Sequence, residues 1–312
     1  MRRSLAGAAA LAAIGLGIIA HAAPGDGARE RLRDRLAERR ADRPAEARPA
    51  LRPGGQTIAY GSEALQQLDV WRASGVTQPA PLVVFVHGGG WKRGSKDNAT
   101  GRAMVPHYTG QGLVFASIDY RLVPAATVEQ QAADVAQALK ALLDRARPLG
   151  IDRSRVVLMG HSAGAHLVAL VGTDEQYLRA AGLSFADIRG VIPLDGAAYD
   201  VPAQMSDGPR FMHDTYAQAF GSDPVRQRAL SPTHQAAAPN APAFLLMHVE
   251  RADGERQAQV LAEALKRGGS AVEIARLPGQ GLRGHGEINR RMGDPDYAGT
   301  PIVDAWLKKV LG

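Results

Sequence analysis

The sequence predicts an α/β protein: one mostly parallel, twisted sheet flanked by helices and carrying a small cap segment. Three observations predict it. Continuous apolar, β-branched runs such as Leu82-Val83-Val84-Phe85-Val86 suit strands buried on both faces. These runs alternate with longer stretches of helical character, the pattern of parallel βαβ units. The pentapeptide Gly160-His161-Ser162-Ala163-Gly164 lies directly between an apolar run, Val156–Met159, and Ala165-His166-Leu167-Val168-Ala169-Leu170. That arrangement marks a strand, a sharp turn and a helix.

Taken in chain order, the first segment reads as an address. Arg2 and Arg3 are followed by an uncharged stretch, 4–20, and then by Ala20-His21-Ala22, a small-x-small cleavage pattern. Residues 1–22 are expected to be a secretory signal peptide, which places the mature protein in the periplasm or outside the cell. Residues 23–55 read as a charged low-complexity linker. Acids recur every four residues (Glu30, Asp34, Glu38, Asp42, Glu46) beside arginines, and Leu32 and Leu36 are almost its only large apolar residues. Such a segment cannot bury a face on its own.

The folded body is expected over residues 56–312. Strand candidates lie at 56–60, 66–71, 82–86, 113–118, 155–160, 188–194, 243–249 and 271–277. Helix candidates lie at 100–111, 127–146, 162–172, 254–267, 285–292 and 300–310. The stretch 197–240, with Tyr199, Met205, Phe211, Met212, Tyr216 and Phe220, is expected to cap the body. At 312 residues and 45% hydrophobic, the chain can bury one substantial core.

Composition excludes several chemistries. With no cysteine there is no thiolate catalysis, no Cys-based zinc site and no disulfide, although an oxidising compartment stays open. The net charge of +6 belongs largely to the leader and linker, because the body from Pro53 onward holds 26 basic and 25 acidic side chains. No nucleic-acid partner is expected, and no stable membrane insertion once the leader is cut. The oligomeric state is not specified.

The pentapeptide makes chemical demands. A strand-to-helix turn puts Ser162 at its apex, and side chains two places to either side would clash, hence Gly160 and Gly164. A serine hydroxyl is a poor nucleophile without a base, a carboxylate behind that base and donors for the developing oxyanion. His87-Gly88-Gly89-Gly90-Trp91 follows the strand 82–86. Its glycines let backbone N–H groups converge, so Gly88 and Gly89, with Ala163 after the nucleophile, are the candidate oxyanion hole. No Gly-x-x-x-x-Gly-Lys-[Ser/Thr] pattern supports a phosphate loop. His87 is expected to brace this loop, Trp91 to line the pocket or cover the core, and His166 to pack.

His285 is the candidate base. It follows the last strand candidate through a glycine-rich stretch, Gly281–Glu287, and opens a helix. The order Ser…Asp/Glu…His puts the acid after a strand between them. Asp253, just past Phe244–Val249, is the expected acid. Glu250 and Glu255 are neighbours that could substitute, and Asp195, directly after the strand ending at Leu194, is another position for a carboxylate. Ser162, Asp253 and His285 thus form the expected triad, with no metal and no cofactor required.

Together these pieces resemble the α/β-hydrolase fold. More narrowly they resemble the bacterial esterase branch related to kynurenine formamidase and feruloyl esterases. The resemblance rests on HGGGW at 87–91, Tyr120-Arg121-Leu122 with Pro124, and GHSAGAHL at 160–167. Leu194-Asp195-Gly196-Ala197 with Tyr199-Asp200, Phe220-Gly221, Ser231-Pro232, and His285 with Ile288-Asn289 add to it. It spans roughly 56–312. The hormone-sensitive-lipase-like branch shares HGGG but usually has Asp where this chain has His161. One departure stands out: Val249-Glu250-Arg251-Ala252-Asp253 lacks the Gly that usually ends the strand before the acid. The resemblance implies a serine hydrolase that cleaves small-molecule carboxylic esters through an acyl-enzyme. An arylformamidase or other amidase is the alternative, and a non-catalytic binding protein on the same fold is the third reading.

Overall fold

The structure is a computed structural model that describes residues 55–99 and 103–312. The expected signal peptide (1–22), and the expected linker (23–55) except Gly55, lie outside the described residues. The first strand begins at Gly55, one residue before the predicted start of the body.

Eight strands form one sheet in the order β1-β2-β4-β3-β5-β6-β7-β8. The chain enters through an antiparallel pair, β1 (Gly55–Ala59) and β2 (Gln67–Trp71), and β2 lies antiparallel to β4. From β3 (Ala80–Val86) through β4 (Val114–Ile118), β5 (Ile151–His161), β6 (Gly190–Leu194), β7 (Ala243–Glu250) and β8 (Ala271–Gln280), neighbours run parallel. The intervening helices are α1 (Lys96–Ala99), α2 (Met104–Gly110), α3 (Val128–Asp144), α4 (Ala146–Leu149), α5 (Ala163–Thr173) and α6 (Gln176–Ala180). They continue with α7 (Val201–Asp207), α8 (His213–Phe220), α9 (Pro224–Ala229), α10 (Pro232–Gln235), α11 (Ala252–Arg267), α12 (Gly281–Arg291) and α13 (Gly299–Leu311). No helix among the described residues is long and apolar enough to cross a membrane.

Period-two alternation within β3 splits the core in two. Leu82, Val84 and Val86 pack with Val135, Leu139 and Leu142 of α3 and Leu167 and Leu170 of α5. Val83 and Phe85 point the other way, into a cluster with Met104 and Tyr108 of α2 and Val303, Trp306 and Leu307 of α13. Both faces of the strand are therefore apolar, which is why its sequence reads as a continuous hydrophobic run.

The predicted strands all form. The helix expected at 100–111 spans Met104–Gly110. Strand β8 runs on to Gln280, which pairs with Glu250 after a register shift, so α12 starts at Gly281 rather than at His285. The cap region consists of the short helices α7 to α10 and a 3-10 turn at Arg210–Met212.

Candidate active site

The carboxyl ends of β3, β5 and β6, and the segment after β8, converge at one end of the sheet, where ligands bind in open parallel sheets. At the end of β5, Ser162 adopts φ 55°, ψ −117°, a left-handed strain that non-glycine residues seldom accept. Its N–H is tied to the Leu194 carbonyl at 3.1 Å, and α5 begins with the next residue. The flanking glycines are required by space. A Cβ on Gly160 would lie 2.3 Å from the Gly164 oxygen, and one on Gly164 would lie 2.1 Å from the Val86 oxygen.

His285 lies in the second turn of α12, and its Nε2 is 3.0 Å from Ser162 Oγ. Its Nδ1–H donates to Asp195 Oδ2 at 2.5 Å. The hydrogen-bonded carboxylate is thus Asp195 and not the expected Asp253. Asp195 follows β6 directly in left-handed backbone (φ 44°), which turns its side chain under the end of β7. There the Met247 carbonyl accepts the Asp195 N–H at 2.7 Å, and Asp195 Oδ1 accepts the Val249 N–H at 3.2 Å. Asp253 instead lies in the first turn of α11, where Oδ2 accepts from Arg251 Nη1 at 3.0 Å and from Gln204 Nε2 at 3.1 Å. The missing glycine at the end of β7 is the departure that accompanies this change, and Arg251 occupies that turn.

Asp195 is fully buried. Burial alone would raise its pKa, but the Arg251 guanidinium and then the His285 hydrogen bond outweigh burial and hold the carboxyl well below the usual range. It is therefore an anion throughout the neutral range, able to fix the imidazole tautomer that leaves Nε2 free to accept a proton.

Two further histidines buttress the site in neutral form. His161 donates its Nε2–H to the His285 carbonyl at 2.9 Å, and the two rings lie 4.5 Å apart. Burial, then the neighbouring His285, lowers its pKa to about 3. His166 donates Nε2–H to the Leu230 carbonyl at 2.8 Å and accepts from Trp91 Nε1 at 3.3 Å, and burial lowers its pKa to about 4. Its packing role is as expected. Trp91 covers the core: it is buried against Tyr216 and Phe220 of the cap.

The glycine loop after β3 abuts Ser162. A Cβ on Gly88 would come within 2.9 Å of Ser162 Cβ, and one on Gly89 (φ 119°) would come within 2.1 Å of the Arg93 oxygen. Gly90 faces the cap, 2.9 Å (as a Cβ) from Thr215 Cγ2. The loop is braced from behind. His87 donates Nδ1–H to the Gly88 carbonyl at 2.7 Å and stacks on Tyr120 at 4.2 Å, while Tyr120 Oη donates to the His87 carbonyl at 3.0 Å. Helix α3 adds two ties. Gln131 Nε2 donates to the Trp91 carbonyl at 2.7 Å, and buried Asp134 holds Arg121 through Nε and Nη2 at 2.9 and 2.7 Å. The Tyr120-Arg121-Leu122 segment thus carries the loop.

Fold and site together define the class: the chain has the α/β-hydrolase fold, and its sequence resembles serine esterases of that fold. The BD-FAE family profile matches residues 68–198. Esterase LipC of Mycobacterium tuberculosis is 39% identical over 124 residues, 38% of this chain and 30% of that protein. The kynurenine formamidase of Drosophila melanogaster is 35% identical over 114 residues, 36% of each chain. This chain therefore spans well under half the length of the curated relatives it matches. Among solved structures, esterase B from Lactobacillus rhamnosis superposes with a TM-score of 0.68 at 19% identity, covering 91% of both chains. The apo form of Thermogutta terrifontis esterase 2 gives 0.67 at 23% identity, over 84% of this chain and 97% of that one. At such identities the two likenesses speak to the fold.

Proposed function

We propose that this protein is a serine hydrolase of carboxylic esters, with Ser162 as nucleophile, His285 as base and Asp195 as the carboxylate behind it. The observation that carries the reading is the unbroken chain Ser162 Oγ, His285, Asp195, with distances of 3.0 and 2.5 Å. Ser162 Oγ bonds to the ester carbonyl carbon as its proton passes to His285 Nε2. N–H groups of Gly88, Gly89 and Ala163 take the oxyanion. The C–O bond to the alcohol then breaks, and His285 protonates the leaving alkoxide. Water repeats the sequence on the acyl-enzyme, releasing the acid and regenerating Ser162. His285 must be neutral to accept a proton.

The likeness to kynurenine formamidase favours a second substrate class, N-formyl aryl amides, attacked by the same groups. A kcat/KM panel of acetyl, butyryl, octanoyl and feruloyl esters against N-formylkynurenine tests the choice. The ester reading expects the best ester to exceed the formamide, and a formamide preference overturns it. We place the mature enzyme in the periplasm or outside the cell, on the strength of the residues 1–22; N-terminal sequencing of the protein from cell fractions checks this.

A further inference from the structure

The segment after β7 puts a largely buried cation between two carboxylates, one of which is the partner of His285. Arg251 Nε faces Asp195 Oδ2 at 3.4 Å, Nη1 donates to Asp253 Oδ2 at 3.0 Å, and Nη2 donates to the Gly196 carbonyl at 3.0 Å. The Arg251 side chain is only 14% exposed. Space is reserved for it, since a Cβ on Gly254 would sit 2.9 Å from Nη2. Asp253 is in turn held by Gln204 of the cap, which also donates to Tyr216 Oη at 3.1 Å.

We infer that Arg251 is a positioning residue that clamps Asp195 and sets the pH at which the Ser162–His285 pair becomes active, with Asp253 as the anion that moderates it. The inference rests on the reading of Ser162, His285 and Asp195 given above. A guanidinium beside Asp195 shares the carboxylate's charge, so it disfavours the protonated imidazole that the carboxylate would otherwise stabilise. Nη2 ties the Gly196 carbonyl, while Nε lies 3.4 Å from Asp195 Oδ2 without a hydrogen bond, so the hold on Asp195 itself is electrostatic.

Other titratable groups of the described residues lie around the pair. His161 on β5 is neutral, with its pKa near 3. Tyr199, after β6, is pushed far above neutral by burial, and Tyr297, ahead of α13, is pushed up to about 12. Glu287, on α12 itself, pairs with Arg283 at 3.4 Å. Besides His285 itself, Arg251 is the cation paired with Asp195 among the described residues.

The test is the pH dependence of Ser162 labelling by a fluorophosphonate, measured on the purified protein together with kcat/KM for p-nitrophenyl acetate. Arg251→Gln should move the acidic limb up by about one pH unit. Arg251→Lys should restore most of the wild-type limb. Asp253→Asn, which leaves the cation less neutralised, should move the limb the opposite way, by about half a unit. Opposite shifts support the clamp, because loss of structure alone would lower amplitude without moving the limb in two directions. Limbs that coincide with wild type, or that move in the same direction, overturn it. Should Arg251→Gln not fold, the direction of the Asp253→Asn shift decides. Wild-type protein that is not labelled at all contradicts the reading of Ser162 and not the role of Arg251.

Discussion

Replacing Asp195 by Asn separates the two carboxylates that the sequence leaves in play. In the wild-type site Oδ2 accepts the His285 Nδ1–H at 2.5 Å while Oδ1 accepts the Val249 N–H at 3.2 Å. An amide has one acceptor oxygen for those two donors. If it stays on Val249, the NH2 group faces Nδ1, which must then become the acceptor. The ring proton moves to Nε2, 3.0 Å from Ser162 Oγ, and the base is lost. The opposite flip sets an NH2 against the Val249 N–H and breaks a buried bond. The first outcome costs about 10⁴ in kcat, by analogy with the same substitution in serine proteases, or about 5 kcal/mol of transition-state stabilisation. The assay is kcat for p-nitrophenyl acetate on protein whose fold is verified by circular dichroism, with Asp253→Asn measured in parallel. Asp195→Asn within tenfold of wild type, alongside a collapse in Asp253→Asn, would refute the assignment and restore the acid that the position after β7 suggests.

Other consequences are open to measurement. Gly164→Ala drives a methyl into the Val86 carbonyl (2.1 Å) and should destabilise the fold by about 1–3 kcal/mol, read as a lower Tm. His161→Phe removes the donor to the His285 carbonyl and should cut kcat about tenfold with KM little changed, measured by steady-state kinetics. His87, His161 and His166 have pKa values lowered to about 4, 3 and 4 from the ordinary 6.5. The unfolded chain therefore binds more protons than the fold below pH 6.5. The stability these residues contribute is complete above 6.5 and is lost as the pH falls toward 4, by up to about 1.4 kcal/mol per pH unit for each histidine. Urea midpoints across pH 4–8 check the sign.

The turn that carries Ser162 was legible because its constraints are local. A strained serine between two glycines, after an apolar strand and before a helix, specifies one turn, and both glycines prove to be spatially required. His285 was legible from its place after the last strand, although the turn of α12 that holds it was misplaced because β8 continues through Pro278 and Gly279 to Gln280. The carboxylate that meets His285 was not legible. Asp195 and Asp253 each follow a strand, and the choice depends on side-chain direction. Asp195 is turned toward His285 by a left-handed φ of 44°, while Asp253 is drawn away by Arg251 and Gln204. The signals were the absent glycine at the end of β7 and the Asp195-Gly196 pair immediately after β6. The cap was legible as a segment but not as helices. Its elements α7 to α10 are four to eight residues long, too short for a periodic pattern to emerge.

In the proposed mechanism the acyl group sits on Ser162, and that step can be caught directly. It is tested most directly by mass spectrometry of the protein quenched during turnover of an acetyl ester, with the modified peptide sequenced. An acetyl adduct is expected on Ser162 in the wild type and none in Ser162→Ala, whose kcat falls by about 10⁴–10⁶. An adduct on another residue, or near-full turnover by Ser162→Ala, would contradict it.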